Sequence, residues 1–147
     1  MKLSTRGRYG LRALADLAVH QDGSPVTLAD IALRQNISDG YLESIFSMLK
    51  KSGIVRSVKG AGGGYLLARA AEDIHVGEVL EALEGDMSII EPDIEDDGGA
   101  YTLSRCIREN IWDVMSDRIK AVAESVSLEQ LIRNADPNIT PAGACRS

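Results

Sequence analysis

Ser38, Tyr41, Glu43, Ser44 and Ser47 lie close together in the chain, and Lys50, Lys51, Arg56 and Lys59 follow soon after. Serine hydroxyls pair with several base edges, and a glutamate accepts a hydrogen bond from the cytosine amine. Lysine and arginine grip phosphates, which gives affinity without sequence information. These residue types can together read a nucleic acid. Gly60, Gly62, Gly63 and Gly64 stand directly behind Lys59. No Gly-Lys-Ser/Thr follows them and the chain leaves as a strand, so a nucleotide-phosphate loop is rejected. Glycines at such a tip instead let the backbone take positive φ and approach a sugar-phosphate groove closely.

Catalysis finds little support, and no enzyme, cofactor or metal is expected. The two histidines, His20 and His75, have no cysteine or carboxylate pair beside them in sequence. Each is expected at an exposed or capping position near an element end. Cys106 and Cys145 do not make a disulfide framework. Cys106 has Arg105 and Arg108 close by, and basic neighbours favour a thiolate. An inert thiol is the simpler expectation; a redox switch at Cys106 is the alternative.

The elements that must position these residues are legible from caps and periods. Ser4 or Thr5 opens a first helix, with Leu11, Leu14, Leu17 and Ala18 on one face, and Gly23-Ser24-Pro25 ends it. Thr27 opens a second, with Asp30 three residues on, and it runs out near Asn36. Ser38 caps a third, which buries Tyr41, Leu42, Ile45, Phe46 and Leu49 and stops at Gly53. The period then shifts to two. Residues 54–58 and 65–68 read as strands joined by the basic, glycine-rich tip. A short helix over 77–84 follows, then an acidic, aperiodic stretch over 86–102. Ile107, Ile111, Val114, Met115, Ile119, Val122 and Val126 mark the apolar stripe of a long helix from Ser104 to about Ser125. At roughly 22 residues it would span about 33 Å, more than a small core covers, so it is assigned to dimerisation. Ile107, Ile111, Trp112, Met115, Ile119 and Val122 are its contact residues, with Trp112 as an anchor. Ser127 and Gln130 form a capping box for a last short helix.

Helix, turn, helix and hairpin in this order make a mainly α fold: a winged helix-turn-helix domain with a two-stranded wing, plus a long C-terminal dimerisation helix. The expected organisation is a DNA-binding domain over 1–85, an acidic linker over 86–102, the dimerisation and terminal helices over 103–134, and a flexible tail over 135–147. A two-fold dimer would present two third helices to a palindromic site on double-stranded DNA.

The 147 residues carry a net charge of −6, which taken alone argues against a nucleic-acid partner. The distribution reverses the argument. Residues 1–69 hold ten Lys and Arg against five Asp and Glu, while residues 70–147 hold six against seventeen. The basic part ends where the wing ends. No apolar run approaches the roughly 18 residues of a membrane span, and the N-terminus lacks the apolar core of a secretion signal, so a reduced, cytoplasmic protein is expected. A protein-interaction module that has lost DNA binding is the rival reading.

Lys2-Leu3-Ser4-Thr5-Arg6-Gly7-Arg8-Tyr9-Gly10 resembles the opening of the Rrf-type winged-helix regulators, the family of IscR, NsrR and CymR. Ile37-Ser38 with Tyr41-Leu42-Glu43 resembles its recognition helix. Residues 53–60 with Gly62-Gly63-Gly64-Tyr65 resemble its wing, and 74–85 and 107–131 continue the match. The resemblance implies a homodimeric bacterial transcription factor, most often a repressor. In this frame Lys2, Ser4, Arg6 and Arg8 join the wing in gripping phosphates.

Many members hold an iron–sulfur cluster with three cysteines just before the long helix and a further ligand such as histidine. Cys106 stands at the third cysteine's place, but residues 86–103 contain no cysteine, and Glu109 stands where IscR-type members have histidine. Arg8 and Arg12 occupy positions from which some relatives donate N-terminal ligands. Arginine is not a ligand, and a cluster needs a full set of thiolates or imidazoles. The chain therefore looks most like the cluster-free branch typified by CymR, with a redox- or iron–sulfur-sensing regulator using Cys106 as the alternative. That branch implies control of sulfur or cysteine metabolism, with the signal delivered by a partner enzyme, cysteine synthase. By analogy with cluster-bearing relatives, 86–102 is the sensing or partner-docking element.

Overall fold

The computed structural model describes residues 2–90 and 102–134. The tail with Cys145, and 91–101 of the acidic stretch, lie outside the described residues.

Local chemistry sets the helix starts. In α1 (Thr5–His20) the Ser4 hydroxyl accepts from the Gly7 amide, and in α2 (Leu28–Gln35) Thr27 accepts from Asp30. α3 (Asp39–Lys51) is capped by Ser38, which accepts from Tyr41. A side-chain acceptor at each of these positions satisfies an amide that has no partner within the helix. Asn36 ends α2 in the left-handed region (φ 55°), which its short polar side chain tolerates. Asp39 sits in the first turn of α3, and Lys50 and Lys51 sit in its last, each complementing the helix dipole.

β1 (Val55–Val58) and β2 (Gly64–Leu67) pair antiparallel, with Val55 opposite Leu67 and Val58 opposite Gly64. Val26, between α1 and α2, bridges to Tyr65 through two backbone bonds of 2.9 and 2.8 Å, so the hairpin is tied to the segment between the helices along β2. A 3-10 turn (Ala71–Asp73) leads to α4 (Val76–Glu84), where Glu78 accepts from the His75 amide.

The long helix is not uniform. α5 (Leu103–Ile107) passes through a π turn (Arg108–Trp112) into α6 (Asp113–Ser125), and the Asp113 amide reaches back five residues to the Arg108 carbonyl. After it the chain returns to the first domain. Val76 donates to Val126 and Leu128 donates to Ile74, at 2.9 and 2.7 Å. α7 (Leu128–Arg133) starts with the reciprocal Ser127–Gln130 capping box. Leu128 is buried in the main core, so α7 packs as part of the winged domain rather than with the long helix it follows.

That core is continuous. Leu14 and Leu17 of α1, Ile31 of α2, and Leu42, Ile45, Phe46 and Leu49 of α3 meet Ile54, Ile74, Val79, Leu83 and Leu128. Each fully buried aliphatic side chain contributes about 1.5–3 kcal/mol relative to exposure. Phe46 packs on the Tyr65 ring at 5.0 Å, which seats the wing on α3. Among the described residues no helix is long and apolar enough to cross a membrane.

His20 departs from the expected exposed or capping position. Its Nδ1 donates to the Asp16 carbonyl at 2.8 Å, and its Nε2 is buried with no partner among the described residues. A carboxylate one helical turn back, Asp16, is also only 3.5 Å away. The i, i+4 spacing carries that proximity; sequence adjacency does not. His75 does sit at a helix N-cap position and is exposed.

Candidate nucleic-acid interface

The third helix divides cleanly. Leu42, Ile45, Phe46 and Leu49 face the core, while Gly40, Glu43, Ser44, Ser47, Lys50 and Lys51 are exposed. The exposed positions recur at three- and four-residue steps, so they share one face. That face carries hydroxyls and one carboxylate along its length and two ammonium groups at its end. Ser38 is exposed at the helix start, although its hydroxyl already accepts from Tyr41.

Tyr41 behaves differently from its exposed neighbours. It is half-buried, and its ring meets the Tyr9 ring edge-on at 6.2 Å. Arg12 lies over the other ring of this pair, 4.8 Å from the Tyr9 centroid, and donates to the Gln35 carbonyl at 2.9 Å. Arg12 thus joins α1 to the end of α2, while Tyr9 joins α1 to the start of α3. Sequence reading missed Tyr9 and Arg12 because each acts across elements. Their spacing on one face of α1 was the available signal.

In the wing, Arg56 and Lys59 are exposed. Gly62 is exposed with φ 75° and suits the expected tip. Gly63 has a structural role: a Cβ there would overlap the Val58 carbonyl oxygen and stand 2.8 Å from that of Gly60. Its amide also closes the turn onto Gly60 at 3.0 Å.

At the N-terminus, Lys2, Ser4, Arg6 and Arg8 are exposed. Two of them are engaged within the chain. The Ser4 hydroxyl donates to Glu84 Oε1 at 2.5 Å, and Arg6 Nε donates to the Leu83 carbonyl at 2.8 Å. The Arg8 guanidinium lies 5.9 Å from the Tyr9 ring centre. The Tyr9–Tyr41 contact places this basic segment beside the start of α3.

Beneath the interface, α1 and α2 are fastened by charge. Asp16, whose side chain is fully buried, accepts from Arg34 Nη2 and Nε at 2.7 and 3.0 Å and from Gln35 Nε2 at 2.8 Å. These bonds hold the Arg34 guanidinium above its ordinary value.

The long helix shows an exposed apolar surface. Leu103, Ile107, Ile111, Trp112, Val114, Met115 and Val122 are all exposed large hydrophobic residues, while Ile119 is half-buried. Ser116 is the buried residue of α6 and accepts from the Ile89 amide at 3.0 Å. Segment 86–90 therefore lies against α6, with Lys120 3.8 Å from Asp86 and Met87 buried. The Ser88 hydroxyl holds the Asp86 carboxyl below its ordinary value.

Cys106 is half-buried, and the Asn110 amide donates to its carbonyl at 2.8 Å and stands 3.5 Å from its sulfur. Glu109 pairs with Arg105 at 2.9 Å. Among the described residues, no group of three or more histidine, cysteine or acidic side chains could hold a metal ion. The chain has no other cysteine before its C-terminal tail. This donor set does not fit an iron–sulfur cluster, which needs several thiolate or imidazole ligands.

Comparison with known proteins agrees with this geometry. Residues 3–134 match the Rrf2 family model, described as iron-dependent transcriptional regulator. The HTH-type transcriptional regulator IscR of Photorhabdus laumondii is 43% identical over 92% of this chain and 82% of its own length. IscR of Escherichia coli is 40% identical over 92% of this chain and 83% of its own. Among solved structures, CymR of B. subtilis, described as the global cysteine regulator, superposes with a TM-score of 0.76 at 34% identity, covering 92% of this chain and 99% of that one. T. potens IscR gives 0.74 at 35% identity, covering 95% and 93%. The relatives are named as transcriptional regulators, a non-enzymatic class. With its winged helix-turn-helix fold, the chain belongs to the Rrf2 family of DNA-binding transcriptional regulators.

Proposed function

We propose that the chain is a cytoplasmic homodimeric repressor that reads a palindromic operator without an iron–sulfur cluster. The observation that carries this reading is the exposed face of α3, where Glu43, Ser44 and Ser47 lie in line with Lys50 and Lys51. Serine and glutamate side chains there read base edges, and the lysines, with Arg56 and Lys59 of the wing, hold phosphates. Lys2 and Arg8 add to the grip. The exposed apolar residues of α5 and α6 support pairing of two subunits through Ile107, Ile111, Trp112, Met115, Ile119 and Val122, because a monomer rarely leaves so many large apolar side chains in water on one element.

Cys106 alone supplies too few ligands for a cluster, which favours a CymR-like mode of control. The likeness to the global cysteine regulator of B. subtilis supports sulfur or cysteine metabolism as the regulated field. The signal then reaches the acidic stretch 86–102 from a partner protein, with cysteine synthase as the first candidate.

Binding to duplexes selected from genomic fragments, followed across salt concentrations, tests the reading. With roughly six to ten phosphates contacted per dimer, affinity should fall about 10³–10⁵-fold between about 50 and 200 mM salt. A flat response, or no selected fragment, overturns it. The neighbours of the selected fragments name the regulated pathway. A brown sample on anaerobic purification overturns the cluster-free part alone.

A further inference from the structure

We propose that Glu84 is a positioning residue for DNA binding, holding the basic N-terminal segment of each subunit where its cations reach phosphate. The inference rests on the DNA-binding reading above and adds to it a residue far from the interface in sequence. Glu84 is the last residue of α4, yet its Oε1 accepts from the Ser4 amide at 3.0 Å, the Ser4 hydroxyl at 2.5 Å and the Gly7 amide at 3.0 Å. One carboxylate oxygen thus serves three donors of the first turn of α1. A negative charge there also matches the positive end of the helix dipole.

The exchange runs both ways. Arg6, in that same turn, donates to the Leu83 carbonyl, one of the unpaired acceptors at the C-terminal end of α4. Each helix end receives the charge its dipole favours from the other. The sequence makes room for this contact. A Cβ at Gly7 would overlap Glu84 Oε1 and lie 2.9 Å from its Cδ, and a Cβ at Gly10 would overlap Leu83 Cδ1. Both glycines are buried.

Little else holds residues 2–6, which are exposed, with Leu3 42% exposed. Lys2 and Arg6 therefore take their places from the end of α4, while Arg8 is placed also by Tyr9 against Tyr41. Without Glu84 the first turn frays, and cations spread over many conformations must be ordered again on each binding event. The same α4 end continues through Gly85 into segment 86–90, which lies on α6. Glu84 is the link between that segment and the N-terminal cations.

The test compares wild-type protein with Glu84→Ala and Gly7→Ala on a labelled duplex that the wild type selects from a random-sequence pool, titrated across salt. Both variants should bind about tenfold more weakly or worse, with a log–log salt slope shallower by about 2 to 4, equivalent to one or two phosphates released by each subunit. Gly7→Ala keeps the carboxylate and displaces it, so it decides the matter if Glu84→Ala fails to fold. A purely structural role lowers the melting temperature but leaves the slope of the folded protein unchanged. Unchanged slope in a folded variant overturns the inference and leaves DNA binding standing. A wild type without salt-dependent binding overturns both.

Discussion

The Asp16 carboxylate and the Arg34 guanidinium meet in a fork at the junction of α1 and α2, with Nη2 2.7 Å from Oδ1 and Nε 3.0 Å from Oδ2. Asp16 has no exposed side-chain surface, while Arg34 keeps a fifth of its own. Removing Arg34 strands the fully buried Asp16 carboxylate. Arg34→Ala should lower unfolding stability by about 3 kcal/mol, read from denaturant curves. A change under about 1 kcal/mol would place the pair among the surface bridges that contribute little.

Base reading and phosphate grip should separate by mutation. Glu43→Gln and Ser47→Ala should alter which duplexes are preferred, by about 1–3 kcal/mol at the affected position. Lys50→Ala and Lys59→Ala should weaken all duplexes alike, each making the salt slope shallower by about 0.9 for every phosphate no longer neutralised. Competition against a panel of single-base variants of the selected duplex distinguishes the two classes.

Trp112 and Met115 stand exposed at 37% and 46% on the long helix. If this face joins two subunits, a charge placed within it must be desolvated on association. Met115→Glu should raise the dimer dissociation constant by at least about 30-fold, the effect expected at a central contact. Sedimentation equilibrium would detect the monomer. An unchanged mass would move the dimer contact elsewhere.

Cys106 has the Asn110 amide against its sulfur and Glu109, paired with Arg105, near it in the chain. Cys106→Ser should leave DNA affinity unchanged both with and without peroxide. A peroxide-driven release that disappears in the variant would make Cys106 a redox switch.

Elements were legible wherever their cause is local. Thr27 with Asp30, Ser38 with Tyr41, and Ser127 with Gln130 make their capping bonds within three residues, and the sequence carries those spacings openly. The wing showed as a change of apolar period around glycines. Glu84 capping a helix that begins 79 residues earlier left no such trace, and neither did Arg34 on Asp16, 18 residues apart. Both depend on how helices cross. Gly7 and Gly10 were visible as glycines, but only the neighbouring α4 explains why side chains are excluded there. The candidate site was read in the same way. The exposed face of α3 follows from its own periodicity, whereas the Arg12–Tyr9–Tyr41 contact requires α1 and α3 to meet.

The π turn at Arg108–Trp112 divides the long helix into two stretches that are out of phase. A regular helix turns about 100° per residue, so one surplus residue shifts everything before it by about that angle relative to everything after it. Cys106, Leu103 and Ile107 therefore point along a different bearing from the one an unbroken helix would give them. A projection of the sequence onto a straight cylinder misplaces one half of the apolar stripe. Deleting a single residue within this turn would act like closing a pleat: a regular helix would re-form, with α5 and α6 keeping nearly the bearings they have now.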